Sequence, residues 1–96
     1  MRIKQALRDK RQEILQIITR HGARNARIFG SQARGDAGAG SDLDILIELD
    51  LGRSLLDIVA IKQSLEDLLG CRVDVVTEAA ISPYILDQVL REAVGL

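Results

Sequence analysis

Aromatic residues and cysteine are nearly absent from this sequence. Its 96 residues include one Phe, one Tyr, one Cys and no Trp. A hydrophobic core must therefore be aliphatic, drawn from 14 Leu, 11 Ile, 6 Val and 10 Ala. The single cysteine, Cys71, excludes an internal disulfide and a cysteine-cluster zinc site. We interpret it as a small buried side chain rather than a nucleophile.

Long apolar runs and an excess of one charge are also missing. No stretch approaches the roughly 20 apolar residues of a membrane span, and no apolar segment near the N-terminus indicates a secretory signal. Hydrophobic residues make up 47%, charged residues 28%, and the formal net charge is −1. These values exclude a strongly basic nucleic-acid-binding domain and a disordered hydrophilic chain. We expect a single soluble, cytoplasmic domain over residues 1–96, with no membrane partner and no direct nucleic-acid contact.

The charges are unevenly distributed along the chain. Residues 1–27 contain eight Lys or Arg and two Asp or Glu, whereas residues 28–96 contain five and twelve. A basic N-terminal helix on an acidic body is one way to dock an acidic partner or a phosphate chain. An ordinary solvated helix face explains the same pattern. The sequence leaves both interpretations open.

Hydrophobic periodicity predicts the order helix, strand, strand, helix, strand, helix. Capping residues sharpen two of these boundaries: Ser54 and Gly70 bracket the second helix, and Ser82 with Pro83 begins the last one. This order is typical of an α/β fold in which helices pack on a small sheet. The predicted spans are residues 3–20, 26–30, 42–49, 54–70, 72–77 and 82–96.

Two acidic residues, Asp42 and Asp44, begin the second predicted strand. Side chains at positions i and i+2 of a strand point to the same face, about 6–7 Å apart. Two like charges held that close repel each other, so this pair is unfavourable for stability alone. A divalent cation removes the repulsion, and Mg²⁺ prefers carboxylate oxygens together with substrate phosphates. The pair is therefore a candidate metal site.

A candidate phosphate-binding turn precedes the acidic pair. Gly30 permits close backbone approach, and Ser31 is placed to cap a short helix at residues 32–34 whose free N–H groups would bind an anion. Arg34 would add positive charge there, or brace the loop through a carboxylate such as Asp36. A phosphate-binding turn beside metal-binding acids suits phosphoryl or nucleotidyl transfer.

Asp74 is a third candidate acid, because it lies between Val73 and Val75 in an otherwise apolar strand. If this strand lies beside the strand of Asp42 and Asp44, all three carboxylates converge. The third carboxylate can then bind a metal and help deprotonate an attacking hydroxyl. The alternative places Asp74 at an exposed strand end, paired with Arg72.

Gly30-Ser31, ten intervening residues and then Asp42-x-Asp44 resemble the signature of the DNA polymerase beta-type nucleotidyltransferase superfamily. The run GSQARGDAGAGSDLDILI is similar to its minimal nucleotidyltransferase branch, the antitoxin partners of HEPN toxins. The resemblance is close over residues 26–78. It implies the small mixed β-sheet with flanking helices of that superfamily. It also implies that Gly30 and Ser31 contact the triphosphate, with Arg34 in the same nucleotide-binding loop.

The same resemblance implies that Asp42, Asp44 and Asp74 are catalytic and bind the metal. The implied cofactor is Mg²⁺ in a two-metal site, with Mn²⁺ as an alternative, and the implied substrate is ATP. No acceptor-binding domain is visible in the sequence, so the acceptor is expected on another molecule. The implied activity is transfer of AMP to a tyrosine of a HEPN ribonuclease toxin, in a hetero-oligomer. The alternative is an antitoxin that neutralises its toxin by binding alone.

Overall fold

A mixed four-stranded sheet with helices against it forms the described part of the protein. The computed structural model describes residues 3–30, Ala33 and residues 42–96. The helices are α1 (Ile3–Asp9), α2 (Arg11–Arg20), α3 (Leu55–Leu69) and α4 (Pro83–Glu92). The strands are β1 (Ala23–Phe29), β2 (Leu43–Leu49), β3 (Val73–Val76) and β4 (Val94–Gly95), and a 3₁₀ turn spans Glu78–Ala80.

The sheet has the strand order β3-β2-β1-β4. β1 is antiparallel to both β2 and β4, whereas β2 and β3 run parallel and are joined through α3. Parallel neighbours need such a crossover, and a helix is its usual form. The predicted fold class, α/β with a small mixed sheet and flanking helices, is confirmed.

The main hydrophobic cluster lies on one face of the sheet, beneath α1, α2 and α3. Because strand residues alternate between faces, every second residue of β2 and β3 enters this core. Cys71 is partly buried against it. The cluster is aliphatic, as the composition requires, and consists of Leu7, Ile14, Ile18, Ala23, Ala26, Leu43, Ile45, Ile47, Ile61, Leu65, Val73 and Val75.

The N-terminal segment is two helices rather than the single predicted helix over residues 3–20. The break falls at Lys10, which has φ −110° and ψ 17° and so lies outside the helical region. The ammonium group of Lys10 donates a hydrogen bond of 3.0 Å to the carbonyl of Leu68 in the last turn of α3. That carbonyl has no partner within its own helix. A contact 58 residues away along the chain accompanies the break, so local periodicity could not reveal it.

Two further boundaries differ from the prediction: the end of the last helix and the start of β1. The last helix ends at Glu92, and Val94 and Gly95 form β4 against Ile28 and Arg27 instead of continuing the helix. β1 begins at Ala23, earlier than predicted, and its pairing with β2 shifts between Arg24 and Arg27. Asn25 lies at this irregularity with φ +52°. The irregular register disrupts the alternation on which the sequence prediction of strands relies.

The helices of the described residues do not include one that is long and apolar enough to cross a membrane. The longest, α3, has 15 residues. A span needs roughly 20 predominantly apolar residues.

The N-terminus of α3 is closed by a reciprocal pair of hydrogen bonds, as predicted. The hydroxyl of Ser54 accepts from the N–H of Leu56 at 3.2 Å, and the Asp57 carboxylate accepts from the N–H of Ser54 at 3.0 Å. Replacing Ser54 with Ala should therefore lower the free energy of unfolding by about 1 kcal/mol, the usual cost of a lost N-cap. Ser64→Ala, in the middle of the same helix, is the matched control and should not destabilise the protein. Urea denaturation measures both, and equal effects of the two changes would contradict the capping role.

Candidate functional site

Asp44 and Asp74 lie side by side on neighbouring parallel strands. They are direct register partners in the pairing of β2 with β3. Their neighbours Leu43, Ile45, Val73 and Val75 enter the core, so both carboxylates belong to the opposite face of the sheet, which we call the site face. The condition that the sequence analysis set for Asp74, adjacency of the two strands, is met.

The carboxylate of Asp44 lies in an environment that disfavours its charge. Partial burial raises its pKa most, and the nearby charges of Asp74 and Asp42 raise it further. Burial and like charges both penalise the ionised form. The charges of Asp42 and Asp74 therefore both act on Asp44, and a bound cation would offset the burial and the repulsion that raise its pKa.

The turn after β1 brings the Gly30 backbone against the Asp44 carboxylate. Phe29 is the register partner of Asp44 in the antiparallel pair β1–β2, and Gly30 follows it with φ +76°. A Cβ atom at this position would lie 2.5 Å from Oδ2 of Asp44. Glycine is therefore required twice over: by the left-handed backbone and by the carboxylate beside it.

Asp42 forms an ion pair with Arg72. The Nε atom of Arg72 lies 3.4 Å from Oδ1 of Asp42, and the two side chains are 81% and 45% exposed. The N–H of Leu43 donates to the carbonyl of Arg72 at 3.0 Å. Asp42 and Arg72 therefore lie at matching positions, each immediately before its strand. The alternative interpretation of Asp74 had paired it with Arg72. In the structure the guanidinium of Arg72 contacts Asp42 instead, and Asp74 is exposed.

The sequence did not reveal that Arg72 is the ion-pair partner of Asp42 in the acidic cluster. A signal existed, because Arg72 precedes Asp74 by two residues, as Asp42 precedes Asp44. Equal spacing on adjacent parallel strands puts four charged side chains, three negative and one positive, on one face. The partner of Asp42 depended on the strand register, which the sequence did not supply.

The three carboxylates are hard oxygen donors of the kind that Mg²⁺ prefers. Among the residues that the structure describes, no group of three or more His, Cys, Asp or Glu side chains is arranged to hold a metal ion as it stands. Arg72 contacts Oδ1 of Asp42 at 3.4 Å, so a metal ion held by all three acids would compete with this ion pair or bind the other carboxylate oxygen. Partial burial and, after it, the charges of Asp74 and Asp42 raise the pKa of Asp44, and a bound cation would offset both. The donor chemistry thus fits a divalent cation.

Two predicted nucleotide-binding residues, Ser31 and Arg34, lie outside the described residues, as does the glycine-rich segment over residues 35–41. Of the predicted turn, Gly30 is described, and its carbonyl accepts a hydrogen bond of 3.1 Å from the N–H of Ala33.

The raised pKa of Asp44 predicts a pH dependence of stability. Because the folded state keeps this proton to higher pH than the unfolded state, deprotonation favours unfolding. Without divalent cations, the wild type should lose stability relative to Asp44→Asn as the pH rises from about 4, the ordinary aspartate value, through the folded-state pKa. Urea denaturation at several pH values measures the difference. A constant difference between pH 4 and 7 would contradict the raised pKa of Asp44.

The nucleotidyltransferase domain family matches residues 2–96. "Putative protein adenylyltransferase MJ0435" of Methanocaldococcus jannaschii is 45% identical over 86 residues, covering 90% of this chain and 92% of that protein. "Protein adenylyltransferase MntA" of Thermococcus cleftensis is 40% identical over 91 residues, covering 86% of this chain and 92% of that protein.

Solved structures show the same fold. The "Structure of putative minimal nucleotidyltransferase" superposes with a TM-score of 0.87 and 48% identity, covering 100% of this chain and 97% of the other. A toxin–antitoxin crystal structure with AMP-PNP superposes with a TM-score of 0.73 and 21% identity, covering 88% of this chain and 69% of the other. The family match extends over nearly the whole sequence and includes the acids of β2 and β3. This chain is a member of the nucleotidyltransferase domain family.

Proposed function

We propose that this protein is the antitoxin of a toxin–antitoxin pair and a Mg²⁺-dependent protein adenylyltransferase. In this proposal it transfers AMP from ATP to a tyrosine of its partner, a HEPN ribonuclease toxin. The observation that carries the proposal is the pairing of Asp44 with Asp74 on parallel strands, with the Gly30 backbone against the Asp44 carboxylate.

The proposed reaction joins the tyrosine oxygen to the α-phosphorus of ATP. The bond from the α-phosphorus to the oxygen that bridges to the β-phosphate breaks, and pyrophosphate leaves. Asp74 accepts the proton of the tyrosine hydroxyl as the new bond forms. Asp42 and Asp44, together with Asp74, would hold Mg²⁺, which neutralises phosphate charge and orients the reacting groups when bound. The turn at Gly30 and Ser31 would position the triphosphate.

The comparisons support the substrate and partner of this proposal. The relative from Thermococcus cleftensis carries the name protein adenylyltransferase, which specifies both a transferred adenylyl group and a protein acceptor. Solved structures of the same fold are described as toxin–antitoxin complexes, among them one with AMP-PNP and one of MntA with HpeT. A HEPN identity of the partner follows from the sequence resemblance alone. A bulky anionic adduct near a ribonuclease site would repel RNA, which gives the modification a means of silencing the toxin.

The proposal is tested by incubating the purified protein with Mg²⁺, the protein encoded next to it, and ATP labelled at the α-phosphate. Label should pass to the partner, remain after denaturation, and disappear when the acceptor tyrosine is replaced by phenylalanine. ATP labelled at the γ-phosphate is the matched control and should transfer nothing, because pyrophosphate leaves. Transfer of the γ-label would indicate a kinase instead and overturn the proposal.

Neutralisation by docking alone is distinguished in cells. Asp42→Asn combined with Asp44→Asn should keep the fold and still bind the partner, because asparagine preserves the size of each side chain and neither residue lies in the core. If catalysis neutralises the toxin, this variant will fail to protect cells that express it. Full protection by the variant would show that binding is sufficient.

A further inference from the structure

The strand that carries Asp74 is short and, among the residues that the structure describes, has one neighbouring strand. β3 has four residues and lies at the end of the sheet order, next to β2. In a parallel pair, alternate residues direct their N–H and C=O groups toward the neighbour, and the others direct theirs away. Arg72 bonds to β2 through its carbonyl, so the backbone groups of Val73 point away from β2. An edge position of this kind needs another partner or solvent for its hydrogen bonds.

Two side chains of α3 supply that partner. The Glu66 carboxylate accepts a hydrogen bond of 3.0 Å from the N–H of Val73. The Lys62 ammonium donates to the carbonyl of the same residue at 2.8 Å and to Oε2 of Glu66 at 2.9 Å. The three contacts form a closed ring that engages both backbone groups of Val73.

The ring acts on the residue immediately before Asp74. The Val73 side chain is 1% exposed and belongs to the core, so its backbone is fixed by the core on one side and by α3 at the edge. Asp74 extends from the next position to the opposite face, where it is the register partner of Asp44. The hydrogen bonds from Lys62 and from the N–H of Val73 hold the pKa of Glu66 below its usual range, so the acceptor stays ionised at neutral pH.

We propose that Lys62 and Glu66 are positioning residues for nucleotidyl transfer: they fix Val73 in the edge strand and thereby hold Asp74 opposite Asp44. This inference rests on the proposed function for its catalytic consequence. Neither side chain touches the reacting groups. Both act through the backbone of β3, and their effect should be specific to the step that needs Asp74.

Lys62→Met is the most informative variant, because it keeps the aliphatic stem and removes the ammonium. We expect kcat for transfer to fall by about tenfold or more, since a displacement of about 1 Å at a reacting group costs up to 10²-fold. The KM for ATP should change by less than about twofold, because the turn at Gly30 and the acids Asp42 and Asp44 lie outside β3, the strand that the variant displaces. Lys62→Arg retains donors for both acceptors and should recover most of kcat.

Arg53→Gln is the matched control. Arg53 and Asp57 form an i,i+4 ion pair at 3.4 Å at the other end of α3, as Lys62 and Glu66 do near β3. Its loss should leave kcat and KM unchanged. An equal loss of kcat in Arg53→Gln and Lys62→Met, or a KM that rises as much as kcat falls, would show that the ring contributes only to overall stability. Either result would overturn the inference.

Amide hydrogen exchange tests the ring without relying on activity. Glu66→Met removes the only acceptor that the structure gives the N–H of Val73, so its protection should fall by roughly threefold to tenfold, while Ile47 in β2 keeps its protection. Unchanged protection at Val73 would overturn the inference. Absence of transfer by the wild type would instead refute the proposed function, and the exchange result would still decide whether Lys62 and Glu66 hold the strand.

Discussion

Replacing Asp44 with Asn is expected to reduce adenylyl transfer by about 10³-fold or more while the protein stays folded. An asparagine keeps the size of the side chain and removes the charge that would hold Mg²⁺. Stabilisation of transition-state charge by a metal ion contributes several kcal/mol, and each 1.36 kcal/mol corresponds to a tenfold change in rate. Stability without divalent cations should be unchanged or higher at neutral pH, because burial and the charges of Asp74 and Asp42 disfavour the ionised Asp44.

This combination separates a catalytic role from a structural one. Rates are measured with ATP labelled at the α-phosphate, and stability is measured by urea denaturation of the same preparations. Asp67→Asn, at an exposed position of α3, removes one negative charge away from the site face and should keep full activity. A strongly destabilised Asp44→Asn would indicate that the carboxylate supports the fold, and retained transfer would exclude it as a metal ligand.

Gly30→Ala should impair both stability and transfer, for two separable reasons. Alanine in the left-handed region costs about 1–2 kcal/mol, and Gly30 has φ +76°. The added Cβ would also lie 2.5 Å from Oδ2 of Asp44, so the carboxylate must move. A displacement of this kind at a reacting group costs up to about 10²-fold in rate.

Gly52→Ala is the matched control that separates the backbone cost from the contact with Asp44. Gly52 has φ +86°, so alanine there meets a similar backbone cost, but a Cβ at Gly52 would have nothing within 4 Å. Both variants should lose comparable stability, and only Gly30→Ala should lose transfer. Similar activity in the two variants would mean that the close approach of the Gly30 backbone to Asp44 has no role in the reaction.

Local patterns predicted the acids of the candidate site and the elements that carry them. Alternation over β2 placed Asp44 opposite the residues that became core, and a polar residue between Val73 and Val75 indicated the third candidate acid, Asp74. Gly30 was identified from its place between a strand and a serine, before the structure showed the carboxylate beside it. In each case a residue's spacing from its immediate neighbours was sufficient.

Features that depend on strand register or on distant contacts could not be predicted. Arg72 pairs with Asp42 because β2 and β3 align at Leu43 and Val73. Lys10 reaches the end of α3, and β4 returns to β1, through contacts between remote parts of the chain. Periodicity within one element contains no information about such pairings, which arise only when the elements assemble.

The alignment of β2 with β3 also explains why charges of both signs share the site face. Arg72 gives Asp42 a counterion in the absence of metal, whereas Asp44 has like charges nearby and an elevated pKa. The cluster is therefore partly neutralised by the chain itself. Binding of a divalent ion would complete the neutralisation.

A crystal structure with Mg²⁺ and AMP-PNP tests whether the three acids together hold divalent metal under a bound nucleotide. We predict Mg²⁺ coordinated by Asp42, Asp44 and Asp74, with the triphosphate against the turn at Gly30. A nucleotide bound elsewhere, with Asp42 still paired to Arg72 and no ion at Asp44 and Asp74, would contradict it.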